Sequence, residues 1–289
     1  MAKCFYHNDL DGKCAGFWVY RHNETENKVC EMIPIDYRDS FPLDSIKEGE
    51  AIFIVDYSIQ PHEMRQLLEI TKNVTWIDHH KTAIEKYKDF EHDIPGLRVD
   101  GVAGCVLTYL YFNVLQKGKK KFDLSLLPKV PMFTRLIGDR DIWAWAFGQR
   151  TQNFCEGLLV ADTNPTSDIW DHVWIDTKDV EVAGEIVSAY KKVHNKELID
   201  AFAYPVEFEG YRGIACNVGK CSSQLFDSLD KQYDLMVPFI YDGEQFTVSI
   251  YSTTVDVSEI AKKYGGGGHK GAAGFQCKYL PFRMVESNG

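Results

Sequence analysis

Aspartate and histidine recur in four clusters along the first half of this 289-residue chain. In order they are His7-Asn8-Asp9-Leu10-Asp11-Gly12, Val55-Asp56-Tyr57, Trp76-Ile77-Asp78-His79-His80 and Gly138-Asp139-Arg140-Asp141. Carboxylate oxygens and neutral imidazole nitrogens suit a hard-to-borderline divalent cation, Mn²⁺ first, with Mg²⁺, Co²⁺ and Zn²⁺ as competitors. Two such ions roughly 3.5–4 Å apart can clamp the attacking and leaving oxygens of an in-line phosphoryl displacement. One carboxylate must then bridge the ions, and Asp56, alone at the end of its apolar run, is the natural candidate. His7, Asp9 and Asp11 are spaced by two, so on an extended segment they point the same way; a turn at Gly12 then opens a helix. His79 and His80 are adjacent and cannot both face one ion from a regular strand, which gives them separate roles.

The first three clusters follow short apolar runs, 3–6, 51–55 and 74–77, that read as buried parallel strands. In an open α/β sheet the ligand crevice lies at the carboxyl ends of the strands, so three such ends aim their side chains at one place. Expected strands at 3–7, 29–35, 51–56 and 73–78 alternate with helices at 12–22, 61–71 and 81–87, the mark of a parallel sheet with crossover helices. Further helices are expected at 103–116 and 127–137, the second leading into the fourth cluster, with the charged loop Lys117-Gly118-Lys119-Lys120-Lys121 between them. Residues 178–202 read as a long polar helix with Val180, Val182, Ile186, Ala189, Tyr190 and Val193 near helical spacing, a connector. Beyond it the chain becomes β-rich at 206–209, 211–217, 235–241 and 245–251, with helices at 220–230 and 256–263. The expected fold class is α/β: an N-terminal parallel-sheet domain (1–165), a helical connector (166–203) and a smaller mixed α/β domain (204–289).

The ordered set HNDLDG, VDY, IDHH and GDRD resembles the DHH phosphoesterase superfamily. The later run Tyr264-Gly265-Gly266-Gly267-Gly268-His269-Lys270-Gly271-Ala272-Ala273-Gly274-Phe275 resembles the glycine-rich signature of the DHH-associated C-terminal domain. Together these five motifs span residues 7 to 275. The resemblance implies a metal-binding catalytic first domain, a substrate-binding second domain and an active site in the cleft between them. It implies that His7 and Asp9 hold one ion, that Asp11 helps to hold the other, and that Asp56 bridges. It makes His79 a metal ligand and His80 the donor to a non-bridging phosphate oxygen, with His80 as ligand the alternative. Asp78 is expected to fix the tautomer and orientation of a histidine. Spacing does not choose between Asp139 and Asp141; alignment with nanoRNases favours Asp139 as the ligand, leaving Asp141 to pair with Arg140 or cap a helix. Arg140 itself is a phosphate contact or a structural salt bridge. The turn Gly101-Val102-Ala103-Gly104-Cys105 offers amides that could approach a phosphate, or is simply tight packing. In the second domain Gly266, Gly267 and Gly268 form either a backbone-amide cradle for an anion or a flexible loop. There His269 would bind a terminal phosphate or stack on a base, and Lys270 would add charge. Where many members carry Ser-Leu-Arg-Ser this chain has Ser249-Ile250-Tyr251-Ser252; the arginine is missing, and Tyr251 could stack on a base instead. Asn217 is a weaker family-like position.

A formal net charge of −10 disfavours dedicated binding to long duplexes, which relies on clustered basic surface. Short oligonucleotides, dinucleotides or small phosphate esters suit an acidic protein better. The eight cysteines are scattered without a CxxC pair, as reduced thiols are. Polar residues follow Met1 too soon for a signal peptide, and the apolar-rich stretch 101–115 is too short to span a bilayer. The expectation is a cytoplasmic enzyme without membrane contact, for which a homodimer is a compatible assembly. The resemblance implies a Mn²⁺-dependent phosphodiesterase with two divalent ions that releases mononucleotides from short oligonucleotides. A cyclic dinucleotide or pAp (3′-phosphoadenosine 5′-phosphate) is the alternative substrate. The reading from another class is a nucleotide-binding regulator that has lost catalysis; against it, no ligand position in the four clusters carries a non-coordinating residue.

Overall fold

Ala51-Ile52-Phe53-Ile54-Val55 is apolar without alternation, the pattern of a strand buried on both faces. In the computed structural model it is β3 of a five-stranded, fully parallel sheet: β1 (Ala2–His7), β2 (Cys30–Ile35), β3 (Ala51–Val55), β4 (Val74–Asp78) and β5 (Gly96–Arg98). Residues 1–118, 121–219, 221–229 and 232–285 are described, together with the backbone but not the side chain of His269. The strand order is β2-β1-β3-β4-β5. From β1 the chain moves to one side for β2 and to the other for β3, so the switch point lies between β1 and β3, where open α/β sheets bind ligands.

Alternate side chains of each strand serve opposite cores. Cys4, Tyr6, Val55 and Ile77 pack on the face carrying α1 (Leu10–Thr25), α4 (Gly104–Leu110) and α6 (Met132–Asp141). Phe5, Ile52, Ile54 and Trp76 pack on the face carrying α2 (Pro61–Ile70), with α3 (Lys81–Lys86) beside it. A π-helical turn at Tyr111–Leu115 and the short α5 (Gln116–Gly118) continue α4. Lys119 and Lys120 of the basic loop lie outside the described residues. The helix expected at 127–137 starts only at Met132, because Pro128 and Pro131 lack the amides that a regular helix needs; 3-10 geometry at Leu124–Lys129 precedes it. Neither β5 nor α7 (Gln149–Gly157) nor α8 (Ile169–Ile175) was anticipated.

The chain divides into two units, Met1–Val187 and Ser188–Gly289. The first thus runs past residue 165, where the boundary was expected, because Trp170, Val173 and Val180 are buried in its core. The long helix α9 (Lys178–Phe202) crosses the division, and its Val182, Ile186, Tyr190 and Val193 are exposed. The second unit is a seven-stranded mixed sheet of order β10-β11-β9-β8-β7-β6-β12. Its strands are β6 (Ala203–Phe208), β7 (Tyr211–Asn217), β8 (Leu235–Tyr241), β9 (Phe246–Tyr251), β10 (Gly267–His269), β11 (Ala272–Cys277) and β12 (Arg283–Met284). The single regular α-helix wholly within it, among the described residues, is α10 (Val257–Lys263). Where a helix was expected at 220–230, a 3-10 turn covers Ser223–Phe226, and Lys220 and Asp230 lie outside the described residues. The eight cysteines are free thiols. No described helix is long and apolar enough to cross a membrane.

Candidate metal centre

Three strand ends and two helix ends build the site. His7 closes β1, and Asp9 caps α1 by accepting the Gly12 amide at 2.9 Å. Asp11, in the first turn of α1, accepts the Gly104 and Cys105 amides at 2.7 and 3.0 Å, tying the start of α1 to the start of α4. Asp56, one residue past β3, is buried and adopts φ +53°, a left-handed conformation that aspartate tolerates better than most residues. Gly104 is required there: a Cβ at that position would lie 2.7 Å from the Asp56 Cβ and 3.0 Å from Asp11 Oδ2. At the end of β4 the fully buried Asp78 accepts the Ser58 hydroxyl and, at 2.7 Å, the His79 amide. Its Oδ1 also receives Nδ1–H of His80 at 2.7 Å, which leaves Nε2 of His80 free to act elsewhere.

These side chains converge. His79 Nε2 lies 3.2 Å from Asp56 Oδ1, 3.4 Å from Asp141 Oδ2 and 3.8 Å from Asp11 Oδ2. His7 Nδ1 lies 3.0 Å from Asp9 Oδ2 and 3.8 Å from Asp56 Oδ2. Three donor sets result, His7/Asp9/Asp56, Asp56/His79/His80 and Asp11/His79/Asp141, each with its ligand atoms within 4.8 Å of one another. Asp56 and His79 are each shared between two sets.

Electrostatics test whether a cation fits. Burial, with the charges of Asp9 and Asp141 adding to it, lifts Asp56 to about 8 against the pull of His7. Burial and the neighbouring Asp11 lift Asp141 to about 8 as well, and burial with the Asp56 charge holds Asp11 well above the usual carboxylate range. For His7, burial opposes protonation, but the Asp56 and Asp9 carboxylates outweigh it and raise its pKa to about 10. His80 follows the same pattern: Asp78 overcomes burial and raises it to about 9. His7 Nδ1, Asp56 Oδ1 and Asp141 Oδ2 are buried and make no aligned hydrogen bond, although each lies 3.0–3.4 Å from another atom of the cluster. Crowded, buried carboxylates with imidazole nitrogens among them are what a divalent cation satisfies, and its charge would return the carboxylates to their ionised form and the histidines to their neutral one. The residues fit a metal.

Oligoribonuclease NrnB of Bacillus subtilis is 25% identical to this chain over 303 residues, covering 95% of the chain and 72% of that protein. Among solved structures, the pGpG-specific phosphodiesterase PggH from Vibrio cholerae superposes with a TM-score of 0.51 at 10% identity, covering 96% of this chain and 94% of that one. RecJ from Thermus thermophilus in complex with Mn²⁺ also gives 0.51, at 15% identity, covering 95% of this chain and 49% of that one. In sequence and fold the chain is thus similar to nucleotide phosphodiesterases and nucleases, in keeping with the resemblance of its ordered motifs to the DHH phosphoesterase superfamily. No family model matches it.

One expectation is corrected. Asp139 does not face the cluster: its carboxylate accepts the Ala146 and Phe147 amides at 2.7 and 3.2 Å and the Thr151 hydroxyl, so the loop after α6 consumes it. Asp141 stands in its place beside His79 and Asp11. Of the 101–105 turn left open between phosphate approach and packing, the Gly104 and Cys105 amides bind Asp11. Arg140 lies 3.5 Å from Glu156 and also lines a cavity with Asp9, Asp11 and Asp141.

In the second unit the glycine run is an ordered turn and edge strand. The Gly265 and Gly266 amides close the end of α10 on Lys262 and Ala261 carbonyls, at 3.1 and 2.9 Å. Gly267 and Gly268 pair with Gly274 and Ala273 of β11. A Cβ on Gly266 would lie 2.1 Å from the Gly274 carbonyl oxygen, so close backbone packing alone demands glycine there. Lys270 is exposed, and its carbonyl accepts the Val257 amide at 2.9 Å. Tyr251 spends its hydroxyl on the Cys221 carbonyl at 3.0 Å. Sequence reasoning missed Asp36, 3.5 Å from His7 Nε2, and Tyr37, whose ring neighbours those of His7, Tyr57 and His80. The available signal was their place directly after β2, the strand beside β1.

Proposed function

We propose that this protein is a divalent-metal-dependent phosphodiesterase that hydrolyses short oligonucleotides to mononucleotides. One observation carries the reading: three buried polar atoms without an aligned hydrogen bond, on His7, Asp56 and Asp141, lie in one carboxylate–imidazole cluster at the sheet's switch point. NrnB is an oligoribonuclease, and the RecJ neighbour carries Mn²⁺; both favour this substrate class and this ion. His7, Asp9 and Asp56 would hold one ion, and Asp11, Asp56, His79 and Asp141 a second. When bound, such ions acidify water for attack on phosphorus and offset charge gathering on the phosphoryl oxygens.

The chain's own residues supply the rest. Asp78 holds Nδ1–H of His80, so Nε2–H is the donor that faces outward. Where His80 carries its proton there, it can hydrogen-bond a non-bridging phosphate oxygen as negative charge develops. The net charge of −10 suits small anionic substrates drawn to a local metal site better than long duplexes.

A substrate panel in Mn²⁺ tests the proposal: di- to pentanucleotides, cyclic dinucleotides, pAp and pyrophosphate. Short linear oligonucleotides should turn over fastest, and a chelator should stop the reaction. Exclusive turnover of pAp or pyrophosphate would overturn the substrate class; metal-dependent binding of nucleotide without turnover of anything would identify a regulator.

A further inference from the structure

Trp143 and Trp145, just after α6, have φ +55° and +53°, a region that bulky side chains rarely occupy. The backbone is held there from within. The Asp139 carbonyl accepts the Ala144 amide at 3.0 Å, and its carboxylate accepts the Ala146 and Phe147 amides. The Trp143 amide binds the Arg140 carbonyl at 3.0 Å, and the Arg135 guanidinium lies 4.9 Å from the centre of the Phe147 ring. All this order leaves Trp143 66% exposed, with the Trp145 ring 5.6 Å away and tilted by 74°. A strained backbone that persists because its surroundings fix it belongs with function more often than with packing.

The indole is placed beside the metal cluster. Trp143 lines a cavity of about 290 Å³ together with Asp9, Asp11, Asp141, Arg140 and the half-exposed Leu159. Its lining combines cluster carboxylates, a guanidinium, and aromatic and aliphatic side chains. The matching ligand has a metal-seeking anionic group joined to a flat apolar ring. Sites for small ligands run from about 300 Å³ upward, so a cavity of this size suits a single nucleoside.

We propose that Trp143 is the stacking wall for the nucleobase next to the scissile phosphate, and that Asp139 is the positioning residue that sets its angle. This rests on the phosphodiesterase reading and adds a base contact made by the catalytic unit itself. A stack accepts any base, since every base has a π-face, so the contact selects nucleotides without selecting sequence.

The test compares the full-length protein with Trp143→Ala and Trp143→Phe, in Mn²⁺. The ligands are a hydrolysable 5′-phosphorylated diribonucleotide, a hydrolysis-resistant methylene-bridged counterpart, and versions of both in which one base is removed. Trp143→Ala should weaken binding and raise KM by about 5- to 150-fold, the range for loss of one base–aromatic stack, and Trp143→Phe should recover most of it. Removing the base that faces Trp143 should erase the wild type's advantage. Equal binding by wild type and Trp143→Ala, with the dinucleotide still hydrolysed, overturns the wall and leaves the phosphodiesterase standing. Binding that depends on Trp143 without hydrolysis keeps the wall and sinks the phosphodiesterase, and absence of both binding and turnover overturns both.

Discussion

Asp139 and Asp141 differ by two positions on the last turn of α6, and replacing each with asparagine should change stability in opposite ways. In Asp139→Asn one carboxylate oxygen becomes an NH₂. One oxygen now accepts Ala146 N–H; the other accepts Phe147 N–H and the Thr151 hydroxyl. Whichever way the amide lies, at least one of these donors loses its acceptor. Bonds to a charged acceptor contribute about 1.5–3 kcal/mol each, so one lost and the others weakened amount to about 2–4 kcal/mol. At about 2–4 °C per kcal/mol for a unit of this size, the Tm should fall by about 4–16 °C, equally in Mn²⁺ and in chelator. Asp141→Asn removes a carboxylate that is pressed by Asp11 and whose Oδ2 makes no aligned hydrogen bond. In chelator its Tm should stay level or rise.

The metal response separates them further. A ligand at 100 times its Kd stabilises the folded state by about 2.7 kcal/mol, a shift of about 5–11 °C here. Asp139→Asn should keep that shift from its lowered baseline; Asp141→Asn should lose most of it. Thermal unfolding with and without Mn²⁺, alongside metal content after gel filtration, reads both quantities. If Asp139→Asn loses the Mn²⁺ shift and Asp141→Asn retains it, the placement of the two side chains has been misread and Asp139 is the ligand.

Gly104→Ala sets two effects against each other. Helix propensity favours alanine by up to about 1 kcal/mol, but the new Cβ would sit 2.7 Å from the Asp56 Cβ. Overpacking at about 1–3 kcal/mol should win, with metal affinity falling alongside; a more stable variant with full metal content would contradict this. Asp78→Asn should keep its metal and lower kcat by about 10- to 100-fold, because a neutral amide oxygen holds Nδ1–H of His80 less strongly than the carboxylate does. An unchanged kcat would remove His80 from the reaction.

The strand ends were legible because composition and chemistry coincide there. The run before Asp56 is apolar throughout, those before His7 and Asp78 are apolar but for Lys3 and Thr75, and each stops at a residue too polar to be buried without a purpose. Even the shortened β3 is a difference of dihedral angle more than of place: Asp56 N–H still donates to the Ile77 carbonyl at 2.9 Å while φ turns positive. The fourth cluster was illegible for a geometric reason. Two residues apart on a helix means about 200° of rotation, so only one of Asp139 and Asp141 can face the sheet. Which one does depends on how α6 is rotated, and a neighbouring contact sets that: a Cβ on Gly138 would lie 2.9 Å from Val106 and 3.0 Å from Ala103. No spacing rule contains that contact. The Trp143 loop was hidden likewise, since left-handed tryptophans have no local sequence signal and aromatics after a helix read as core.

The same residues that make the site costly hold its walls together. Asp11 is raised by burial and by Asp56, yet its carboxylate joins the first turns of α1 and α4. Asp56 carries a left-handed backbone and an oxygen without an aligned hydrogen bond, yet its amide extends the ladder to β4. Strain and like charge gathered at one sheet edge are tolerable only where the surrounding bonds over-determine the geometry. Here backbone amides supply that determination, leaving side-chain oxygens and imidazole nitrogens aimed at a common point. Preorganisation follows: a cation entering this cluster would meet donors already in place, and its binding energy would go into relieving repulsion instead of ordering the chain.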